Sequence, residues 1–206
     1  MRDLFSDQSR NPSAYVPERI REAREARGFS SEDFAERIGV SRQALAQYEL
    51  GQTLPRPEVM SAIIGVTAQP TSFFTKAQRH ASPHLGHPFW RDLKRTRLTF
   101  RNRTVRRLEW ALEITKHIEN SVNLPSVNLP EIEFDPDWPE DVWIDAIETI
   151  ADAVRGHWGL SSEPIAGFEK HIEANGIVLI QDRVLTDGMD AVSRWQAGRP
   201  YILYAK

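Results

Sequence analysis

Apolar positions recur along the first third of the chain at the three-and-four spacing of short helices around one core. In PERIREAREARG, from Pro17 to Gly28, Ile20 and Ala23 fall on one side and Gly28 ends the pattern. Arg24 shares the side of Ile20, one turn on. The next run, FSSEDFAERIG, gathers Phe34, Ala35 and Ile38 on one face. Ser30 with Asp33 three residues later has the form of a capping box, a short acid replacing the usual Glu or Gln. Gly39 supplies the left-handed backbone that ends this helix, and Ser41 caps the following one. From Arg42 to Glu49, Leu45 and Tyr48 point inward, which leaves Arg42, Gln43, Ala44 and Gln47 on the outer face. Arg24 and Glu49 are placed to form a partly buried ion pair, read as a brace between helices. RPEVMSAIIGVTAQ gives a further helix with Pro57 in its first turn. PTSFFTKA adds a short turn whose Phe73 and Phe74 plug the base of the bundle. Five short helices are predicted.

Two segments follow. Pro88 to Asn120 reads as one long helix, its apolar stripe (Leu93, Leu98, Phe100, Val105, Leu108, Ala111, Leu112, Ile114, Ile118) clearest after residue 104. Between Arg91 and Arg107 it carries eight basic residues and one acid, Asp92. Proline-bearing flanks, Pro83 to Pro88 and Leu124 to Pro130, mark linkers. Beyond them, Asp137 and Glu140 form another capping box, and Val142, Ala146, Ile147, Ile150, Val154 and Trp158 follow a helical period up to Gly159. PIAGFEKHIEANG is a second helix, with Ile165, Phe168 and Ile172 inward. GIVLIQ, AVSRW and YILYA are strand-like runs separated by turn residues, and they predict an antiparallel meander. The predicted fold class is α+β, mainly α: a five-helix N-terminal domain (1–78), a linker with a long basic helix (79–123), and a C-terminal α+β domain (124–206).

Charge sharpens this division. The net charge of −3 hides 19 Lys and Arg against 12 Asp and Glu up to Trp110, and 7 against 17 after it. The basic part suits a polyanion and the acidic part repels one. Nine of the acids lie between Glu131 and Ala153, where there is no Lys or Arg; most form a solvated helix face. The chain has no cysteine, which fits a reducing compartment. No apolar run approaches the roughly 18 residues of a membrane span, and MRDLFSDQSR lacks the apolar core of a signal peptide. A cytoplasmic location is expected, with no membrane partner.

Two close helices with a small Ala35 at their crossing and a hydrogen-bonding outer face suit a motif that reads the DNA major groove. Phe34-Ala35, Gly39-Val40-Ser41, the spacing to Tyr48-Glu49, and Gly51 followed by Pro55 resemble the phage-repressor-type (Cro-like, or XRE) helix-turn-helix domains. The resemblance runs from Pro17 to Phe74. It implies base contacts from Arg42, Gln43, Ala44 and Gln47: Arg42 preferring guanine, Gln43 or Gln47 pairing with adenine, Ala44 touching a thymine methyl. Ser41, at the start of this helix, is a further DNA-binding candidate. Ser31 and Arg56 are candidate phosphate contacts. In the long helix, Arg101, Arg103, Arg106 and Arg107 either extend the footprint on phosphates or form the solvated face of a connecting or dimerising helix. Such domains read twofold half-sites, so a homodimer on double-stranded DNA is expected.

The rest of the chain resembles the ImmA/IrrE-type metallopeptidases that are often fused behind such a motif. The matching residues are Ile63 to Phe74, RRLEWALEI at 106–114, LPSVNLP at 124–130, HWGL at 157–160, ANGIV at 174–178 and DAVSRW…GRPYILY at 190–204. That family carries its zinc on a helix with an H-E-x-x-H motif, which follows the strand matched by YILY. None of the six histidines is followed by Glu. The resemblance therefore implies a partial peptidase-like fold, and no catalytic residue, metal ligand or cofactor is assigned. His80, His84 and His87 lie around Pro83 and Gly86, which favours a loop over a metal site. His157, beside Trp158, reads as a core or cap residue. The expected function is a sequence-specific, repressor-like DNA-binding regulator, not an enzyme, with a C-terminal sensing or partner-binding domain. The alternatives are a fragment of a zinc metallopeptidase whose active-site helix lies beyond Lys206, supplied by a missing segment, and an antitoxin-like regulator with a protein partner on its acidic half.

Overall fold

The computed structural model describes residues 15–76, 89–90, 97–132, 140–182 and 191–205. They fall into two compact units, the first made by the N-terminal helices with the long helix up to residue 116, the second by residues 89–90 and those from 117 onward.

In the first unit, the short helices start and stop where side chains satisfy their open backbone ends. α1 (Pro17–Ala26) begins on proline, which has no N–H to leave unpaired. α2 (Ser31–Arg37) starts at Ser30, whose side chain accepts the Asp33 N–H at 3.0 Å and whose hydroxyl donates to the Asp33 carboxylate. Ser41 does the same for α3 (Arg42–Glu49), accepting the Ala44 N–H at 3.1 Å. α4 (Pro57–Thr67) ends on Ala68 in left-handed backbone, φ 54°, and α5 (Thr71–Thr75) follows. Ile20, Phe34, Leu45, Ile63 and Phe74 meet in one core and are almost fully buried. Each such side chain contributes about 1.5–3 kcal/mol of apolar transfer energy. The five predicted helices are all present.

The long helix differs from its prediction. α6 runs Leu98–Ile118, Phe89–Trp90 form the short strand β1, and residues 91–96, with Leu93, lie outside the described residues. α6 buries Arg103, Thr104, Leu108, Leu112 and Thr115, while Leu98, Ile114 and Ile118 are exposed. The buried seam thus runs through threonines, which a search for large apolar side chains passes over. Trp110 packs edge-on against Phe73, ring centres 5.4 Å apart. α6 is a sixth helix of the first unit.

The second unit holds α7 (Glu140–His157), α8 (Phe168–Ala174), β2 (Val178–Asp182), β3 (Ala191–Gln196) and β4 (Arg199–Ala205). Its sheet corrects the predicted meander. The order is β1-β3-β4-β2, with β3–β4 and β1–β3 antiparallel but β2–β4 parallel. A two-residue hairpin at Ala197-Gly198, both at positive φ (50° and 78°), commits β3 to β4. β2 takes the other edge of β4, so β4 lies between β3 and β2 in the sheet. Strand-like runs carry no information on which neighbour they choose. The cap expected at Asp137 lies outside the described residues. Ile165 is half-buried and Ile172 buried, but Phe168 is 52% exposed. His157 is an exposed side chain hydrogen-bonded to Asn128 at 2.7 Å, not a core residue. The Trp158 indole N–H donates to the Asn128 carbonyl.

Candidate nucleic-acid interface

The outer flank of α3 is built from its inner one. Leu45 is fully buried and Tyr48 half-buried, which turns Arg42 and Gln43 into solvent. Ala44 and Gln47 sit half-buried at the margins of that flank. Among the described residues neither Arg42 nor Arg56 has an acidic partner, so both guanidinium groups are available to a ligand. Ser41 spends its oxygen lone pair on the Ala44 N–H but keeps its hydroxyl proton for an acceptor. Ser31, at the first position of α2, is half-exposed, and Arg56 is exposed just before α4. The set is a polar strip in which Gln43 and Gln47 stand one turn apart with Arg42 next to Gln43, side chains able to hydrogen-bond base edges in a major groove.

The end of α3 is fixed from two sides. Gly51, at φ 70°, leads the chain out, and a Cβ there would lie 2.9 Å from Pro17 Cγ. The N–H groups of Gln52 and Thr53 donate to the Gln47 carbonyl at 2.9 and 3.4 Å. On the inner side, Arg24 clamps Glu49 bidentately, Nε–Oε1 at 2.7 Å and Nη2–Oε2 at 3.0 Å. Its third nitrogen donates to the Phe29 carbonyl at 3.0 Å. This is the brace anticipated between the helices. It also offsets the unfavourable placement of a carboxylate at a helix C-terminus.

Residues 20–73 match a helix-turn-helix family model. No curated protein matches the chain. The N-terminal unit thus carries a DNA-binding helix-turn-helix of the kind transcription regulators use, and double-stranded DNA is its ligand. The geometry above supplies the parts that such a helix-turn-helix needs: two capped helices, a buried inner seam and a polar outer strip on the second. No described helix is long and apolar enough to cross a membrane.

The arginines of α6 divide. Arg106 bonds to Glu25 at 2.6 Å and to Glu109 at 2.7 Å. Arg103 is buried, its stem 3.3 Å from where a Cβ on Gly28 would sit. Arg101 and Arg107 are half-buried and already engaged in interactions of their own. His80, His84 and His87 lie outside the described residues.

Sequence reasoning missed two features. Gln52 and Thr53, exposed beside the C-terminus of α3, join the candidate strip; polar residues immediately after Gly51 were their signal. The second is the rest of the buried charge in α1, where Arg19, Glu22 and Glu25 are buried along with the anticipated Arg24. Arg19 pairs with Glu22 at 2.7 Å and Glu113 at 3.0 Å, and lies over the Phe73 ring. The repeated Arg/Glu spacing of PERIREAREARG, charges on the face of Ile20, was the available sign. Burial raises the Glu22 pKa above its ordinary value despite the attraction of Arg19. Burial also acts on Glu25, but hydrogen bonds from Arg21 and Arg106 outweigh it and hold Glu25 below its ordinary value.

Proposed function

We propose that the chain is a sequence-specific, repressor-like regulator that binds a twofold operator as a homodimer, with the second unit as a sensing or partner-binding module. The observation that carries this reading is the exposed Arg42-Gln43 flank of a helix whose opposite side is locked by Leu45 and Glu49. Arg42, Gln43, Ala44 and Gln47 contact base edges, and Ser31, Ser41 and Arg56 contact phosphates. Arg101 and Arg107 add phosphate contacts at the edge of the footprint, while Arg103 and Arg106 serve mainly to hold α6. A single recognition helix reads only a few base pairs, so paired half-sites about one helical turn apart supply the rest.

The second unit binds rather than catalyses in this reading. No histidine of the 206 residues is followed by Glu, so none of these residues is assigned to a zinc site. Val142 and Ile147 on α7 and Phe168 on α8 are exposed apolar side chains, which supports a surface kept for a partner. Selecting bound fragments from a random duplex pool tests the proposal. A recurring motif with twofold symmetry supports it; an unenriched pool refutes it.

A further inference from the structure

We propose that Glu25 and Arg106 are positioning residues for base reading, holding the recognition helix through an ion relay that starts on α6; this rests on the DNA-reading proposal above. Four charged groups stand in sequence across three helices. Arg106 of α6 bonds Glu25 of α1 through Nε and Oε2 at 2.6 Å. Glu25 Oε1 lies 3.8 Å from Arg24 Nη2, and Arg24 clamps Glu49 at the end of α3. Side-chain exposure falls to 4% at Glu25 and 8% at Arg24, so the middle of the relay is shielded from water and salt.

Each link leaves its neighbour few alternatives. Both Glu25 oxygens are taken, Oε1 by Arg21 at 2.9 Å and Oε2 by Arg106. The planar Arg24 fork is fully committed, so its orientation fixes where Glu49 sits. α3 has only eight residues, and Ser41 and Glu49 pin its two ends. A site that reads base edges needs its side chains held within about 0.5 Å. Arg106 is thus used from behind: with 23% of its side chain exposed and two carboxylates on it, it steadies Gln43 and Gln47 without meeting a phosphate.

The test uses the full chain with an operator duplex from the pool selection and a scrambled duplex, titrated over a range of salt, with thermal melts to verify folding. Arg106→Met should lose about tenfold in operator affinity, keep scrambled-duplex affinity within about twofold, and leave the salt slope unchanged. Arg106→Lys, which keeps the charge opposite Glu25 and folds if the longer truncation does not, should recover most of the loss. Combining Arg106→Met with Glu49→Gln should cost no more than the worse single change, because both cut one relay. Equal losses on both duplexes with a slope lower by about one would make Arg106 a phosphate ligand. Full operator affinity in both variants, or losses that multiply in the double variant, would also overturn the relay. A wild type that binds both duplexes alike overturns the relay together with the reading it rests on, before any variant is made.

Discussion

At the scale of single residues, the flank of α3 is where chemistry and exposure agree. Gln43→Ala or Gln47→Ala should cost on the order of 1–3 kcal/mol at one operator position and little on random DNA, as measured by competition with single-base-pair variants. Equal loss on every sequence would remove the base-reading role. Backbone constraints are equally local. Gly51 sits at φ 70° with Pro17 where a Cβ would go, so Gly51→Ala should destabilise by about 2 kcal/mol in denaturant titration. Ala197 is the opposite case: a residue with a Cβ at φ 50° in a hairpin turn. Ala197→Gly should stabilise by roughly 0.5–1 kcal/mol, and a loss of stability would show that the turn has another constraint.

At the scale of elements, legibility followed the kind of force involved. Caps and apolar seams are local, so Ser30, Ser41, Leu45 and the order of α1 to α5 could be read directly. The pairing of β2 with β4 is a long-range choice made by a hairpin, and three strand-like runs do not encode it. The seam of α6 used Thr104 and Thr115 beside Leu108 and Leu112, so its packing on the first unit was hidden under an excess of arginine. The face of α7 was readable as amphipathic, but Ile147 is 54% exposed because periodicity identifies a face and not what covers it. The buried charges of α1 have their own prediction. Glu25 has a lowered pKa, so its contribution is present above its ordinary value near 4.5 and fades as pH falls through the lower folded value. Glu25→Gln should then lose roughly 2 kcal/mol at pH 7, Arg21 and Arg106 being partly hydrated, with the loss shrinking below pH 4.5. Glu22 has a raised pKa, so its favourable contribution is complete at low pH and is lost as pH rises through the raised value. Glu22→Gln should leave the melting temperature at pH 7 level or higher, with Glu113 remaining for Arg19.

For the whole molecule, the opposed charge of its two parts sets how it meets DNA. The net-basic part up to Trp110 should attract a duplex, and the acidic remainder should be repelled by one. Binding should therefore weaken steeply with salt, and charge removal at Arg56 should lower the slope by about 0.9, whereas Arg106→Met should not. The most direct measurement is a pair of selections from one random duplex pool, with the wild type and with Gln43→Ala. The account expects the wild type to enrich a twofold motif and the variant to return the same motif with its preference erased at one position in each half-site. No motif, or an identical motif from both proteins, would contradict it.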